Sequence, residues 1–376
     1  MASTASHGAR PTLESVASRA AVSRQTVSNV LNAPHLVRGD TTERVRRAIE
    51  ELGYRPHRAA QALRTRRSRL IGLRLEPVGD GINGDVLDRF LHALTEEAQT
   101  ANYRIELFVA SDDDAEITQY DQMLVAADVD AFVITGTHHG DPRTTWLAER
   151  RVPFVTFGRP WGEVGSTHDH PWVDVDGAAG TRAATEHLLA SGHTSIAFLG
   201  WPTPSGVGDD RRAGWSAAMV DAGSSPDFLA LLDHAGPDDV AAGLAAAENL
   251  LARPEPPTAV VCSSDSLALG AMTAATAARA GLEVIGFDDT PVAAALGLSS
   301  VAQPIADAAR HALALLVHQM DQTVASRSAP PDPHRLLAPH LVLRQPTFTP
   351  LADRVDEERS TPPSPDRPSA LPKEYR

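Results

Sequence analysis

The most informative stretch of the chain is residues 12–68, TLESVASRAAVSRQTVSNVLNAPHLVRGDTTERVRRAIEELGYRPHRAAQALRTRRS. Thr12 is placed to cap a first helix. The apolar residues of that helix recur at helical spacing: Leu13, Val16, Ala17 and Ala20. Ala21-Val22-Ser23 predicts a tight turn whose serine caps a second helix, and a third amphipathic helix follows from about Thr41 to Leu52. The pattern therefore predicts a small three-helix domain.

The second predicted helix has a polar face that suits duplex DNA. Val27, Val30 and Leu31 share its other side and are expected to pack inwards. The side chains expected to contact DNA are Arg24, Gln25, Thr26, Ser28, Asn29 and Asn32. Arg binds guanine through two acceptors, Gln and Asn pair with adenine, and hydroxyls suit phosphates. A generic helical bundle is the alternative, but the cap, the turn and the face agree on a DNA-reading helix.

Charge is distributed unevenly along the chain. Residues 1–70 contain thirteen Arg and no Lys against five acidic residues, whereas the remainder contains twenty-one basic and forty-three acidic residues. These values give about +8 and −22, and together the net charge of −14. A basic module joined to an acidic body predicts phosphate binding at one end only.

Composition excludes several classes of protein. Cys262 is the single cysteine of 376 residues, so neither an internal disulfide nor a cysteine-based zinc finger is expected. The sequence shows neither a secretory signal nor an apolar run of membrane-spanning length, and we expect a cytoplasmic protein. No Gly-x-Gly-x-x-Gly follows a predicted strand and no Gly-x-Ser-x-Gly occurs, so we expect no cofactor and no enzymatic activity.

From Arg69 onwards, apolar strand patterns alternate with helical patterns. The strand candidates are 69–75, 104–110, 131–136, 153–158, 195–200, 258–263 and 283–287, with helical patterns such as 85–101 and 180–192 between them. Near-continuous apolar strands separated by helices indicate parallel sheets covered on both faces. The units are too numerous for one ordinary sheet, so we expect two doubly wound parallel-sheet subdomains beside the small all-α domain.

The N-terminal stretch closely resembles the DNA-binding headpiece of the LacI family of bacterial repressors. The matching residues are Thr12-Leu13, Val16-Ala17, Ala20, Val22-Ser23, Thr26-Val27-Ser28, Leu31-Asn32, Thr42, Val45, Leu52-Gly53-Tyr54 and Pro56. Ala21 departs from the family, which usually has a turn glycine there. A left-handed alanine costs about 1 kcal/mol, which favours a slightly different turn. Asn29 stands where many members have arginine, which would change the sequence that is read.

By the same resemblance, residues 57–68 look like the family's hinge helix, which pairs with its copy on the minor groove. Leu63 would wedge into the central base step, Ala60 would lie at the close contact between hinge helices, and Arg58 would meet phosphate. A segment this short and charged is expected to be disordered away from DNA.

Residues 69–347 resemble the family's effector-binding core, which is similar to periplasmic sugar-binding proteins. The matching blocks are RLIGL, WVDVDGAAGTRAATEHLLASGHTSIAFLG, DDRRAGW, SSDSLALGAM, VIGFDD and LAPHLVLRQPT. The resemblance implies a ligand between two subdomains, bound by Arg211 and Asp288. The further effector-binding residues that we expect are Asp210, Ser264, Asp265, Trp161 and Trp201. For each tryptophan, a place in the core or an interface is as compatible with the sequence as stacking on a sugar.

The resemblance also implies a domain plan. We expect a disordered arm (1–10), a helix-turn-helix domain (11–56), a hinge (57–68), the core and a disordered tail (348–376). Within the core, the first subdomain is expected at about 69–190 and 299–322, and the second at about 191–297 and 325–347. Two histidine groups, His138-His139 and His168-Asp169-His170, are treated as loop residues, and no metal site is expected.

These observations favour a homodimeric repressor that binds a near-palindromic operator and is released, or recruited, by a small sugar-like effector. A non-sugar corepressor is the alternative effector. Three rival classes are considered. The DNA module and the absence of a signal peptide argue against a sugar-transport protein, and no nucleophile or acid-base pair with a convergent partner is found for an enzyme. The ratio of affinities for operator and random DNA distinguishes a repressor from a nonspecific nucleoid protein. The sequence leaves open whether two dimers join into a tetramer.

Overall fold

The structure is a computed structural model that describes residues 11–32, 34–54, 67–75, 84–162, 170–320 and 329–344. Its two compact units, separated near Arg69, are considered one at a time. The expected N-terminal arm, most of the hinge and the C-terminal tail lie outside the described residues. None of the described helices is long and apolar enough to cross a membrane.

The N-terminal unit is the predicted helical domain. Its helices are α1 (Leu13–Ala20), α2 (Arg24–Asn32) and α3 (Gly39–Leu52), with a short 3-10 turn at Pro34–Leu36. The residues of its core are buried as the pattern predicts: Val16, Ala17, Ala20, Val27, Val30, Val45, Ala48 and Tyr54. The helix α3 begins two residues before the predicted Thr41, after an N-cap at Arg38 that forms no side-chain cap bond.

The larger unit contains two sheets of six strands each within the described residues. The strands of the first sheet are β1 (Leu70–Arg74), β2 (Arg104–Phe108), β3 (Ala131–Ile134), β4 (Phe154–Phe157), β5 (Trp172–Val175) and β11 (His334–Leu337). Those of the second are β6 (Ile196–Gly200), β7 (Asp233–Ala235), β8 (Ala259–Cys262), β9 (Glu283–Asp288), β10 (Ser299–Ala302) and β12 (His340–Val342). All seven predicted strands are confirmed.

The helices between the strands cover both sheets. They are α4 (Asp85–Thr100), α5 (Asp113–Val125), α6 (Pro142–Glu149), α7 (Gly177–Ala190), α8 (Gly206–Asp221), α9 (Pro226–Leu232), α10 (Val240–Leu251), α11 (Asp265–Ala278), α12 (Pro291–Leu296) and α13 (Ile305–Met320). Strands such as β3, β6 and β8 are buried along their whole length because helices pack on both faces.

Both sheets have the same doubly wound topology. Their strand orders are β2-β1-β3-β4-β5-β11 and β7-β6-β8-β9-β10-β12. Neighbouring strands run parallel except β10 and β12, where Val301 faces Leu341 in an antiparallel pair. In such sheets, ligands bind beyond the carboxyl ends of the strands, near the point where the strand order reverses. The fold therefore directs two sets of strand ends towards a shared cleft.

The predicted subdomain boundaries are wrong at three elements. The strand β10 belongs to the second sheet and β11 to the first, the reverse of the sequence expectation. The helix α7 packs on the second core, because Ala184 and Leu188 lie in that cluster. The helix α13 packs on the first core, as expected. Short apolar strands carry no mark of the sheet they join, so the crossings cannot be read from pattern alone.

Candidate functional site

Local contacts hold the helix α2, which the sequence predicts to be the DNA-reading element. Ser23 Oγ accepts a hydrogen bond from the backbone N of Thr26 at 3.1 Å, which confirms the predicted cap. Val27 and Val30 are buried, whereas Arg24 and Gln25 are exposed. The described polar face is therefore solvent-facing at the N-terminal end of the helix, where base contacts are made in helix-turn-helix proteins.

Three polar side chains of this face have partners, either within the face or on α1. Gln25 Nε2 donates to Asn29 Oδ1 at 2.9 Å, one turn along the helix. Arg24 Nε lies 3.1 Å from Glu14 Oε2 on α1, and both side chains are more than 60% exposed. Exposed ion pairs contribute little stability, so Arg24 can exchange Glu14 for a base or phosphate at small cost.

The other residues predicted to contact DNA are partly buried or lie outside the described residues. Thr26 and Ser28 are partly buried positions of α2, and Thr26 Oγ1 lies 2.9 Å from Ser23 Oγ. Asn32 is the last residue of α2, but its side chain lies outside the described residues. The predicted hinge contacts are also outside them: Arg58, Ala60 and Leu63.

Ala21 keeps the left-handed turn that a glycine would supply. Its φ and ψ are 52° and 51°, and its backbone N–H donates to the carbonyls that end α1, those of Ala17 and Ser18. The expected change in turn geometry is therefore wrong. The compact αα connection requires this conformation, and packing of the helices offsets the cost of about 1 kcal/mol for an L-residue.

The ligand cleft lies where the strand ends of the two sheets meet. It encloses a cavity of about 220 Å³. The lining residues from the first subdomain are Val86, Leu87, Gly136, Thr137, Phe157, Gly158, Trp161, Asp174 and Val175. Those from the second are Trp201, Val207, Asp210, Arg211, Asp238, Asp288 and Gln303. This volume is below the ~300–1,000 Å³ of typical ligand sites, so the space between the subdomains suits a small ligand.

Arg211 and Asp288 meet in this cleft as predicted. Arg211 Nη1 lies 3.6 Å from Asp288 Oδ1, and both residues are 6% exposed. The guanidinium lies over the Phe287 ring at 3.7 Å from the centroid, and Nη1 also donates to the carbonyl of Ser263. The Nε of Arg211 is buried without a hydrogen-bond partner among the described residues. A buried, unsatisfied donor beside a carboxylate is suited to a polar ligand.

Asp288 occupies an unusual position at the end of β9. Its φ is 109° and that of Asp289 is 52°, which are strained conformations for residues other than glycine. Gln303 Nε2 donates to Asp288 Oδ1 at 2.7 Å. Burial raises the pKa of Asp288 to about 8, although Arg211 lowers it. The folded protein therefore favours the protonated form of this carboxyl group more than water does.

Asp210 is part of an ion pair across the cleft. Arg159 Nη2 lies 2.7 Å from Asp210 Oδ2, and Arg159 Nε lies 2.7 Å from Asp174 Oδ2. The backbone N of Ala178 also donates to Asp210. Burial raises the pKa of Asp210, and the Arg159 charge opposes that shift. Arg159 and Asp174 belong to the first subdomain and Asp210 to the second, so this cluster connects the two.

Ser264 and Asp265 do not belong to the described lining of the cavity. Ser264 caps α11 and its hydroxyl donates to Asp238 Oδ1. Asp265 accepts from the Thr290 backbone N at 2.7 Å and from Ser300 Oγ at 2.6 Å. Burial raises the pKa of Asp265 to about 6. These two residues therefore support the cleft wall, whereas the sequence analysis places them on the ligand.

Trp161 and Trp201 both line the cavity, and each indole ring already has a guanidinium near one face. For Trp201 it is that of Arg211, 5.3 Å from the ring centroid. The Arg159 guanidinium lies 4.7 Å from the Trp161 ring centroid. The Cα of Gly206 packs so close to the same ring that a Cβ there would lie 2.2 Å from it. Both indole Nε1 atoms are buried without a hydrogen-bond partner in the described part of the chain. Their N–H groups are therefore candidate donors to a ligand oxygen.

The histidines singled out in the sequence have structural partners. His138 Nε2 lies 3.0 Å from Asp113 Oδ2, and donor atoms of Asp113, His138 and Asp141 lie within 4.8 Å of one another. Arg143 Nη2 is 2.7 Å from Asp141 Oδ2, and its Nε is 3.5 Å from Asp113 Oδ1. Arg143 Nη1 also lies 2.9 Å from Glu116 Oε2, which pairs in turn with Arg74. The carboxylates therefore belong to an ion-pair network, which explains the cluster better than a metal site does. His168 and Asp169 lie outside the described residues.

Four polar residues of the cleft wall are not predicted from the sequence. They are Thr137, Asp174, Asp238 and Gln303. Each lies at or just after the carboxyl end of a strand, namely β3, β5, β7 and β10. A position at a strand end could have identified them. Only Thr137 follows a predicted strand, because β5, β7 and β10 are not among the strands predicted from the sequence.

A helix-turn-helix unit and a unit of two doubly wound sheets with a polar cleft define a ligand-responsive DNA-binding regulator. Comparison with known proteins identifies the family. The model for bacterial regulatory proteins of the lacI family matches residues 12–57, and that for the periplasmic binding protein-like domain matches residues 185–347. The chain belongs to the LacI family of transcriptional regulators.

The relatives cover most of the chain. It is 36% identical over 282 residues to the HTH-type transcriptional regulator AglR of Rhizobium meliloti, covering 75% of this chain and 76% of AglR. It is similar to the solved transcriptional regulator CelR–cellobiose complex (29% identity, TM-score 0.64, 90% of this chain and 100% of that chain). It is also similar to the lac repressor dimer bound to operator and the anti-inducer ONPF (26%, 0.73, 91% and 100%).

Proposed function

We propose that this chain is a cytoplasmic homodimeric repressor that binds a near-palindromic operator and responds to a small sugar-like effector in the cleft. The helix α2 of each subunit reads one half-site through Arg24, Gln25 and Asn29. Thr26, Ser28 and Asn32 add phosphate and base contacts. The hinge residues Arg58, Ala60 and Leu63 remain assigned to the minor groove.

The observation that carries the effector assignment is the polar content of the cleft. Nε of Arg211 and the indole N–H groups of Trp161 and Trp201 are donors without a partner among the described residues, and Asp288 is an acceptor. Sugars present both donor and acceptor oxygens around a small ring, so they can satisfy both kinds of group. The CelR structure, which contains cellobiose, supports the same class of ligand.

Ligand control requires different affinities for two arrangements of the cleft. Arg159 and Asp210 join the subdomains in the closed arrangement, which a bound ligand stabilises if it contacts both sides. The resulting coupling acts equally in both directions between ligand and operator. Induction is the sign that we propose, with corepression as the opposite sign.

The test is operator binding by the full chain in the presence of candidate ligands. Fluorescence anisotropy with fragments of the promoter region of the gene that encodes this chain, and with scrambled competitors, gives the ratio of the affinities for specific and nonspecific DNA. We expect a specific fragment to bind, a sugar to lower its affinity at least tenfold, and Arg211→Ala to abolish the sugar response while retaining operator binding. Equal affinity for promoter and scrambled DNA, with and without every sugar, would overturn the proposal.

A further inference from the structure

The cleft wall contains more carboxylates than cations. Its acidic lining residues are Asp174, Asp210, Asp238 and Asp288, whereas Arg211 is the only lysine or arginine among the described lining residues. Arg159 lies behind the wall and compensates Asp174 and Asp210, at 2.7 Å from each. Asp238 and Asp288 are the remaining two, and Arg211 Nη1 lies 3.6 Å from Asp288 Oδ1.

Asp238 is fixed in this wall by its neighbours. It follows β7 and is half-buried, and the hydroxyl of Ser264 donates to its Oδ1. Its charge contributes to the raised pKa of Asp288, and both residues line the second-subdomain side of the cavity. The next residue, Asp239, has a different role, because it caps α10 by accepting from the backbone N of Ala242 at 2.7 Å.

We propose that Asp238 makes the cleft selective for neutral sugars over phosphorylated or carboxylated forms of the same sugars. This inference rests on the proposed function, a sugar effector in this cleft. A carboxylate accepts strong hydrogen bonds from hydroxyl groups, whereas it repels a second anion more strongly in a partly desolvated cavity than in water. The unpartnered indole and guanidinium donors then bind the oxygens of a neutral ligand.

The test is isothermal titration calorimetry of the full chain with matched probes. The neutral probes are cellobiose, maltose, glucose and galactose. The charged probes are the 6′-phosphates of cellobiose and maltose, the 6-phosphates of glucose and galactose, and glucuronate and galacturonate, all of which keep the sugar rings of the neutral probes. For a neutral sugar that binds, we expect its charged counterpart to bind at least tenfold more weakly.

Two substitutions of Asp238 and one control substitution of Asp239 test whether the selectivity belongs to the Asp238 side chain. Asp238→Asn keeps an oxygen acceptor for Ser264 and removes the charge. We therefore expect it to reduce, at least threefold, the ratio of the dissociation constants of the charged and neutral ligands. Asp238→Glu should restore the wild-type ratio. Asp239→Asn is the matched control, because it removes the adjacent charge and retains a capping side chain. It should leave the ratio unchanged.

The outcomes separate this inference from the proposed function. A charged form that binds as tightly as its neutral sugar would overturn the selectivity and leave the sugar effector standing. Equal changes in Asp238→Asn and Asp239→Asn would also overturn the assignment to Asp238. If no probe of either kind binds, the proposed sugar effector fails, and this inference fails with it.

Discussion

Arg159 and Asp210 lie on opposite sides of the cleft, and their Nη2 and Oδ2 atoms are 2.7 Å apart. The same guanidinium binds Asp174 on its own side. The three side chains are 11–21% exposed, so water screens them only in part. This ion pair is therefore a contact that opening of the cleft must break.

Arg159→Ala should weaken both the closed arrangement and effector binding. It leaves Asp174 and Asp210 facing each other without a cation, and removing one partner from a partly buried pair costs roughly 1–3 kcal/mol after allowance for exposure. We expect a lower melting temperature and at least tenfold weaker effector binding. Arg182→Ala is the control, since Arg182 also pairs with two carboxylates but on the exposed surface of α7. Similar losses in both variants would argue against a link across the cleft.

Gly206→Ala should oppose closure of the cleft. A Cβ at this position would lie 2.2 Å from Cγ and Cδ2 of Trp161, which cannot be relieved by movement of a flexible side-chain end. Alanine is otherwise the better helix former, so the loss would come from the contact. We expect an increased radius of gyration in small-angle scattering and weaker effector binding. Gly281→Ala, where a Cβ meets nothing within 4 Å, should behave as wild type.

Gln25→Ala should relax the DNA sequence that is read. Gln25 is exposed on α2 and is oriented by Asn29, so losing a bidentate base contact should cost about 1–3 kcal/mol at one operator position. Binding to a library of single-base operator variants measures this effect. Arg19→Ala removes a charge that pairs with Glu51 on α3 and should weaken binding uniformly, if at all. An unchanged base preference in Gln25→Ala would exclude this residue from base recognition.

Ala21→Gly should stabilise the helical unit. Because Ala21 adopts φ 52°, glycine removes the cost of a left-handed L-residue, roughly 0.5–1 kcal/mol. Thermal unfolding followed by far-UV circular dichroism and proteolysis of this unit measures the change. Ala17→Gly, the same substitution at a buried helical position, should destabilise the unit. A destabilising effect at both positions would contradict the turn conformation.

Asp288 should make stability depend on pH. Burial raises its pKa from 3.8 to about 8, so the folded chain holds a proton that the unfolded chain releases. The contribution of Asp288 to the free energy of unfolding is fully present below about pH 3.8, the pKa in the unfolded chain. It is lost as the pH rises from there to about 8, the pKa in the folded chain. We expect the melting temperature of the wild type to fall more than that of Asp288→Asn between about pH 6 and 8.

A second carboxyl group and a surface control make the pH experiment specific. Burial raises the pKa of Asp265 from 3.8 to about 6, so Asp288→Asn should still lose stability as the pH rises from about 4 to about 6. Asp307→Asn changes an exposed carboxylate on α13 and should keep the wild-type slope. Parallel melting curves for wild type and Asp288→Asn would show that Asp288 does not set the dependence.

Local residue patterns determined the elements and the DNA-reading face. The caps at Thr12 and Ser23, the buried stripe of α2 and the seven apolar strands depend on neighbours a few residues apart. Such relationships are present in the sequence itself, because helical and strand periodicities fix which side chains share a face. The pairing of Arg211 with Asp288 came from resemblance to the LacI family, and the structure places the two side chains 3.6 Å apart.

The tertiary structure alone decided which strand ends meet. Asp238 and Asp288 line the same side of the cavity although fifty residues separate them, and Arg159 bridges Asp174 and Asp210 across the subdomains. It also turned Asp265 away from the cavity, towards Ser300 and Thr290. The sheet that β10 and β11 each join depends on long-range pairing and on the burial of whole layers. No local periodicity contains this information, because it arises only when the chain packs against itself.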